Sequence, residues 1–148
     1  MTSQGDEAPV LQLPGVYLIS AVLGLEDVRA FAADRAFHYV SLDGDETLDK
    51  QSFLREVARA LRFPGYFGEN WDAFDESVRD LSWMPAKGYV LVYDGFDHLA
   101  QLDPAAWHTV LTFFHEATEY WGQRHIPMYV LLRGRASAAP GLPQLRVA

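Results

Sequence analysis

Between Gly15 and Arg133 the chain alternates short runs rich in β-branched and aromatic residues with stretches whose apolar residues recur at helical spacing. GVYLIS gives way to LEDVRAFAADR, and FHYVSL to KQSFLREVARAL. After a loop at 63–69, a helical pattern from about Asn70 to Leu81 leads to the run GYVLVYD. A helix from about Pro104 to Gly122 and a final run PMYVLLR complete the series. Strands that alternate with helices build α/β units. Most of these strands are near-continuous apolar runs, as a parallel sheet covered by helices on its faces requires. The expected fold class is therefore α/β, with a small parallel sheet packed against helices.

The helix limits are marked as well. Asp49 stands where it can cap the helix of Phe53, Val57 and Leu61, and Asp103 followed by Pro104 supplies an N-cap and a first-turn proline. Trp107, Val110, Leu111, Phe114, Ala117 and Trp121 fall on one stripe of the long helix, so its aromatics belong to the core. Residues 1–15 hold turn formers and polar residues without periodicity and are expected to be a flexible arm. Residues 134–148, with Pro140 and Pro143, are expected to be a tail, which leaves 16–133 as a single domain.

A chain of 148 residues suffices for one domain that buries roughly two thirds of its extended surface without metal or disulfides. Nearly half of it is hydrophobic (49%), so the net charge of -8 belongs to the surface of a folded domain rather than to a disordered chain. That charge argues against direct binding to nucleic acid, whose phosphates are held by Lys and Arg, and against an anionic membrane surface. It favours a cationic partner. The chain has no Cys, which removes disulfides, thiolate nucleophiles and Cys-ligated zinc and fits a cytoplasmic setting. The longest apolar stretch, Val16 to Leu25, is shorter than the about 20 residues a membrane span takes. Asp6 and Glu7, with no Lys or Arg in the first 15 residues, are the opposite of a signal peptide.

Several kinds of chemistry find no support in the residues. No Gly-rich loop follows a strand in the pattern of a nucleotide site, and no GxSxG elbow occurs. Asp43, Asp45, Thr47 and Asp49 imitate the start of a calcium loop, but Leu48 stands where the turn needs Gly and Leu54 where the bidentate Glu belongs. The histidines at 38, 98, 108, 115 and 125 do not pair at metal-binding spacing, so neither a metal nor a cofactor is expected. Asp94, Asp97 and His98 follow a strand, the place where α/β proteins carry ligands, and with His115 they define the alternative of a small carboxylate and histidine hydrolase. No nucleophile or oxyanion donor accompanies them, and the chain is expected not to be an enzyme.

The segment 63–81, FPGYFGENWDAFDESVRDL, differs from the rest. Glu69, Asp72, Asp75, Glu76 and Asp80 face Arg79 alone, which places -4 of the chain's -8 on one short stretch. Trp71, Phe74, Val78 and Leu81 form the apolar stripe of its helix, so the acids must face elsewhere. Asp72 and Glu76 stand one turn apart and repel, which a helix serving only solubility would avoid with interspersed Lys and Arg. Pro64, Gly65 and Gly68 hold Tyr66 and Phe67 in a loop at the helix N-terminus. An acidic helix beside an aromatic loop has the composition of a protein-binding face.

Pro64, Tyr66, Phe67, Gly68, Glu69, Asn70, Trp71, Asp72 and Ala73 resemble the corresponding loop and helix of the barstar-like family, intracellular inhibitors of bacterial ribonucleases. The resemblance runs over roughly residues 37 to 133, including strand 88–94 and the helix VLTFFHEAT, and leaves 16–36 as an extra N-terminal strand and helix. It implies a barstar-like sheet of three to four parallel strands and a protein that plugs the active site of a basic extracellular-type ribonuclease or toxin nuclease, as an antitoxin or immunity protein does. Partner contacts carry over to Tyr66, Trp71, Asp72, Glu76 and Glu116, and the same acidic face adds Glu69, Asp75 and Asp80. The chain departs from the family at Glu76, where an aspartate is usual, and at Asp75, which replaces an aromatic. Arg79 and Asp80 stand where the family is small and uncharged. An alternative on the same fold is a regulatory module that binds another basic protein.

Overall fold

The computed structural model describes residues 13–20, 22–65 and 69–145. Strand β1 (Gly15–Ile19) leads to helix α1 (Leu25–Asp34), β2 (His38–Asp43), α2 (Lys50–Leu61) and α3 (Trp71–Val78). Then follow β3 (Tyr89–Asp94), α4 (Asp97–Leu102), α5 (Pro104–Gln123) and β4 (Met128–Arg133), with 3-10 turns at Gly44–Glu46 and Ala136–Ala138. The four strands form one sheet in the order β1-β4-β3-β2, every pair parallel. This is the α/β architecture with a parallel sheet that the alternating pattern predicts.

Both faces of the sheet are covered, which is why its strands read as unbroken apolar runs. Val16, Leu18, Val40, Leu42, Leu91, Tyr93, Val130 and Leu132 point to the face under α2, α3, α4 and α5. Ile19, Val90, Val92, Tyr129 and Leu131 point to the other face, under Val28, Phe31 and Ala32 of α1 and under Leu145. On the larger face the Tyr93 hydroxyl donates to Thr47 Oγ1 (2.8 Å), and burial holds its pKa well above the usual phenol range.

Caps form where the sequence places them. Asp49 Oδ1 accepts from the Ser52 N–H (2.9 Å) while the Ser52 hydroxyl accepts from the Asp49 N–H (2.9 Å), a reciprocal capping box for α2. Asp103 Oδ1 accepts from the Ala106 N–H (3.1 Å) at the start of α5. Helix α3 ends at Val78, short of the expected Leu81, because the Trp121 indole N–H donates to the Val78 carbonyl (2.9 Å). The chain then turns, with Leu81 in the left-handed region (φ 49°), and both Leu81 and Met84 enter the core.

Two features lie beyond the sequence reading. Residues 95–102, read only as a polar cluster after a strand, contain the short helix α4. Gly95 turns into it with φ 92°, and Gly44 passes so close that a side chain there would overlap the Gly95 carbonyl. Residues 134–145, expected to be a tail, pack back onto the domain, and 143–145 run along the edge of β1. There the Leu18 N–H donates to the Pro143 carbonyl (2.9 Å), the Leu145 N–H donates to the Leu18 carbonyl (2.7 Å), and Ala139 and Leu145 are buried. Of the expected N-terminal arm, residues 1–12 lie outside the described residues, and Gly15 already belongs to β1. Among the described residues no helix is long and apolar enough to cross a membrane.

Candidate partner-binding face

Helix α3 is fixed at its start by Asn70, whose Oδ1 accepts from the Ala73 N–H (2.8 Å). Phe74 and Val78 are buried, with Phe74 edge-on to Phe53 at 5.4 Å between ring centroids. Trp71 is half-buried. Its ring packs 6.3 Å from Phe53 and 6.2 Å from Phe113 of α5, with the Lys50 ammonium 5.5 Å from its centroid. Trp71 therefore anchors the helix to the core and keeps one edge at the surface.

The acids of this segment differ in exposure. Glu69, Asp72, Glu76 and Asp80 are exposed, and so is Glu116 on α5. Asp75 is different, because it is half-buried and accepts a two-pronged bond from Arg79. Nε donates to Oδ1 (3.0 Å) and Nη2 to Oδ2 (2.9 Å). The hydrogen bond to Asp75, aided by the charges of Asp75 and Glu116, raises the Arg79 pKa above its ordinary value against the opposing effect of burial. Tyr66, together with Phe67 and Gly68, lies outside the described residues.

Between α3 and α5 runs an open groove lined by Asp75, Arg79, Glu116, Glu119, Tyr120 and Gln123. The guanidinium carbon of Arg79 is 5.5 Å from the Tyr120 ring centroid and that of Arg124 is 3.5 Å from it. Glu119, Tyr120 and Gln123 were not among the expected site residues. Their spacing from Glu116, at i+3, i+4 and i+7, places them on one helical face and could have marked them. Phe113, which backs Trp71, precedes Glu116 by one turn on that same face.

The residues of the second cluster each have a neighbour of their own. Asp94 accepts from Arg133 Nη1 (3.0 Å), His98 Nε2 lies 3.6 Å from Asp45 Oδ1, and Asp97 lies close against Gly134. Among the described residues, no group of three or more His, Cys, Asp or Glu is placed to hold a metal ion. The calcium-like stretch is a turn and a cap: Asp43 Oδ1 accepts from the Asp45 N–H (3.0 Å), and Asp49 serves α2.

A family model described as Barstar (barnase inhibitor) matches residues 37–133 of the chain. No curated protein matches significantly. Among solved structures, the Aeropyrum pernix ORC2 protein in its ADP form is similar, with a TM-score of 0.59 and 15% identity over 85% of this chain. The chain spans 37% of the length of that protein, and the likeness is one of fold alone.

Proposed function

Because the chain belongs to the barstar family, we propose that it is a protein inhibitor that binds a basic ribonuclease or ribonuclease toxin and occludes its active site. The observation that carries this reading is the division of α3. Phe74 and Val78 are committed to the core, while Asp72 and Glu76 stand exposed on the outer side with Glu69, Asp80 and, on α5, Glu116. Carboxylates on a rigid helix take the places that RNA phosphates occupy among the Arg, Lys and His of a nuclease, and no chemistry by the inhibitor is needed. Trp71 and Tyr66 supply aromatic contact, and Asp75 contributes through Arg79. The resulting field steers encounter with a cationic enzyme, an effect for which barnase and barstar are the reference pair. Such an inhibitor acts in the cytoplasm, before its nuclease is released.

The test is a titration of RNA hydrolysis by the host's own secreted or toxin-associated basic ribonucleases at low salt. The expected result is stoichiometric loss of activity that weakens as salt rises; absence of any complex with these enzymes overturns the reading. The double variant Asp72→Ala with Glu76→Ala is expected to lose binding while its thermal unfolding midpoint stays unchanged or rises. Relief of the repulsion one turn apart contributes a few tenths of a kcal/mol, roughly. A large loss of stability instead would assign these acids a structural role.

A further inference from the structure

Arg79 stands inside the acidic face, while Lys50 lies beside Trp71 and Arg124 over the ring of Tyr120 at its margins. Arg79, just past the last turn of α3, is locked to Asp75 by two hydrogen bonds and lies against Tyr120, so its guanidinium is held in one orientation. Its side chain is nonetheless 37% exposed and lines the α3–α5 groove beside Glu116 and Glu119, where a docked surface meets it. Asp72 and Glu76 are exposed carboxylates, but at Glu116 a basic group from a partner finds a carboxylate with the fixed positive charge of Arg79 beside it. Like charges brought together at an interface discriminate strongly between partners.

We infer that Arg79 is a specificity-determining residue that fills the cation position of the α3–α5 groove from within the chain. The groove accepts a partner that is neutral or acidic opposite Arg79 and rejects one that is cationic there. The inference rests on the inhibitor reading and narrows it: the cognate nuclease places its basic groups opposite Asp72 and Glu76, not opposite Arg79. Asp75 is then the positioning residue for Arg79 rather than a contact for the partner.

Barnase is the discriminating probe, because the family resemblance makes Glu116 an acidic contact and so places a cation of that enzyme at this groove. Inhibition of barnase is measured with the natural chain, Arg79→Gln and Arg79→Lys at low and high salt, with circular dichroism confirming that each variant is folded. Arg79→Gln is expected to bind at least about tenfold more tightly, because a like-charge contact is removed and the Asp75 and Glu116 carboxylates are left free. Arg79→Lys, which keeps the charge without the fork, is expected to stay near the natural chain. A folded Arg79→Gln that binds barnase no better than the natural chain overturns the inference. If the host ribonucleases still bind the natural chain, the inhibitor reading survives that outcome; if they do not, both fall together.

Discussion

Glu56 is buried to 5% exposure on α2, yet it is an ionised group with full hydrogen bonding. It accepts from the Asp43 N–H (2.7 Å) and from Arg59 through Nε (2.8 Å) and Nη2 (2.6 Å), tying α2 to the end of β2. Burial by itself would raise its pKa, but the bonds from Arg59 and Asp43 and the Arg59 charge outweigh it and hold the carboxyl below the ordinary 4.5. A carboxyl depressed by folding contributes stability that is complete above its unfolded pKa and is lost as pH falls through the lower folded value. Glu56→Gln is therefore expected to cost about 1–3 kcal/mol at neutral pH, since Gln keeps an acceptor but loses the charge-assisted fork. The gap between variant and natural chain should narrow in urea unfolding as pH drops below the ordinary carboxylate range. A gap independent of pH would mean that Glu56 acts only through packing.

At the scale of elements, the side-by-side ends of the parallel strands β2 and β3 bring Gly44 and Gly95 together in the tightest backbone contact that a side chain would disturb among the described residues. A methyl group on Gly44 overlaps the Gly95 carbonyl, which is backbone and cannot step aside as a flexible side chain could. Gly44→Ala is expected to destabilise by about 1–3 kcal/mol or more, through forced movement of that turn. Gly122, inside the last turn of α5 with open space around it, offers the contrast: Gly122→Ala is expected to stabilise by about 0.5–1 kcal/mol. Denaturant midpoints of the two variants should move in opposite directions, and a harmless Gly44→Ala would show that the Gly44–Gly95 contact can relax. The same region shows what the sequence could and could not disclose. Strands, long helices and their caps were legible because apolar period and capping residues are local signals, as at Asp49 and Asp103. Helix α4, six residues long, carries no measurable period and escaped notice. On the candidate face, the acids of α3 were legible as a run, and the Asp75–Arg79 spacing was visible within it. That Arg79 also meets Tyr120 of α5 depends on how two helices distant in sequence pack, and no local pattern encodes it.

For the molecule as a whole, the family match begins at residue 37, so β1 and α1 fall outside the matched span, although β1 shares its sheet and α1 covers one face of it. Their physical role follows from the two faces. The core under α2, α3 and α5 takes Val16 and Leu18 from β1, and Val90, Val92 and Leu131, all at 0% exposure, lie on the side that α1 covers. Phe31 of α1 packs edge-on against Tyr129 there, with ring centroids 6.2 Å apart. β1 also pairs with β4 and accepts the backbone of residues 143–145 on its own outer edge, so removing it would bare both a strand edge and the partner of the C-terminal segment. An apolar face and an open edge together are the recipe for association through sheets. A chain starting at residue 37 is therefore expected to be aggregated or largely unfolded by size-exclusion chromatography and circular dichroism, even though it contains every residue of the proposed binding face. A monomer that unfolds cooperatively and still inhibits a ribonuclease would instead make β1 and α1 an independent addition, with the matched span sufficient both to fold and to bind.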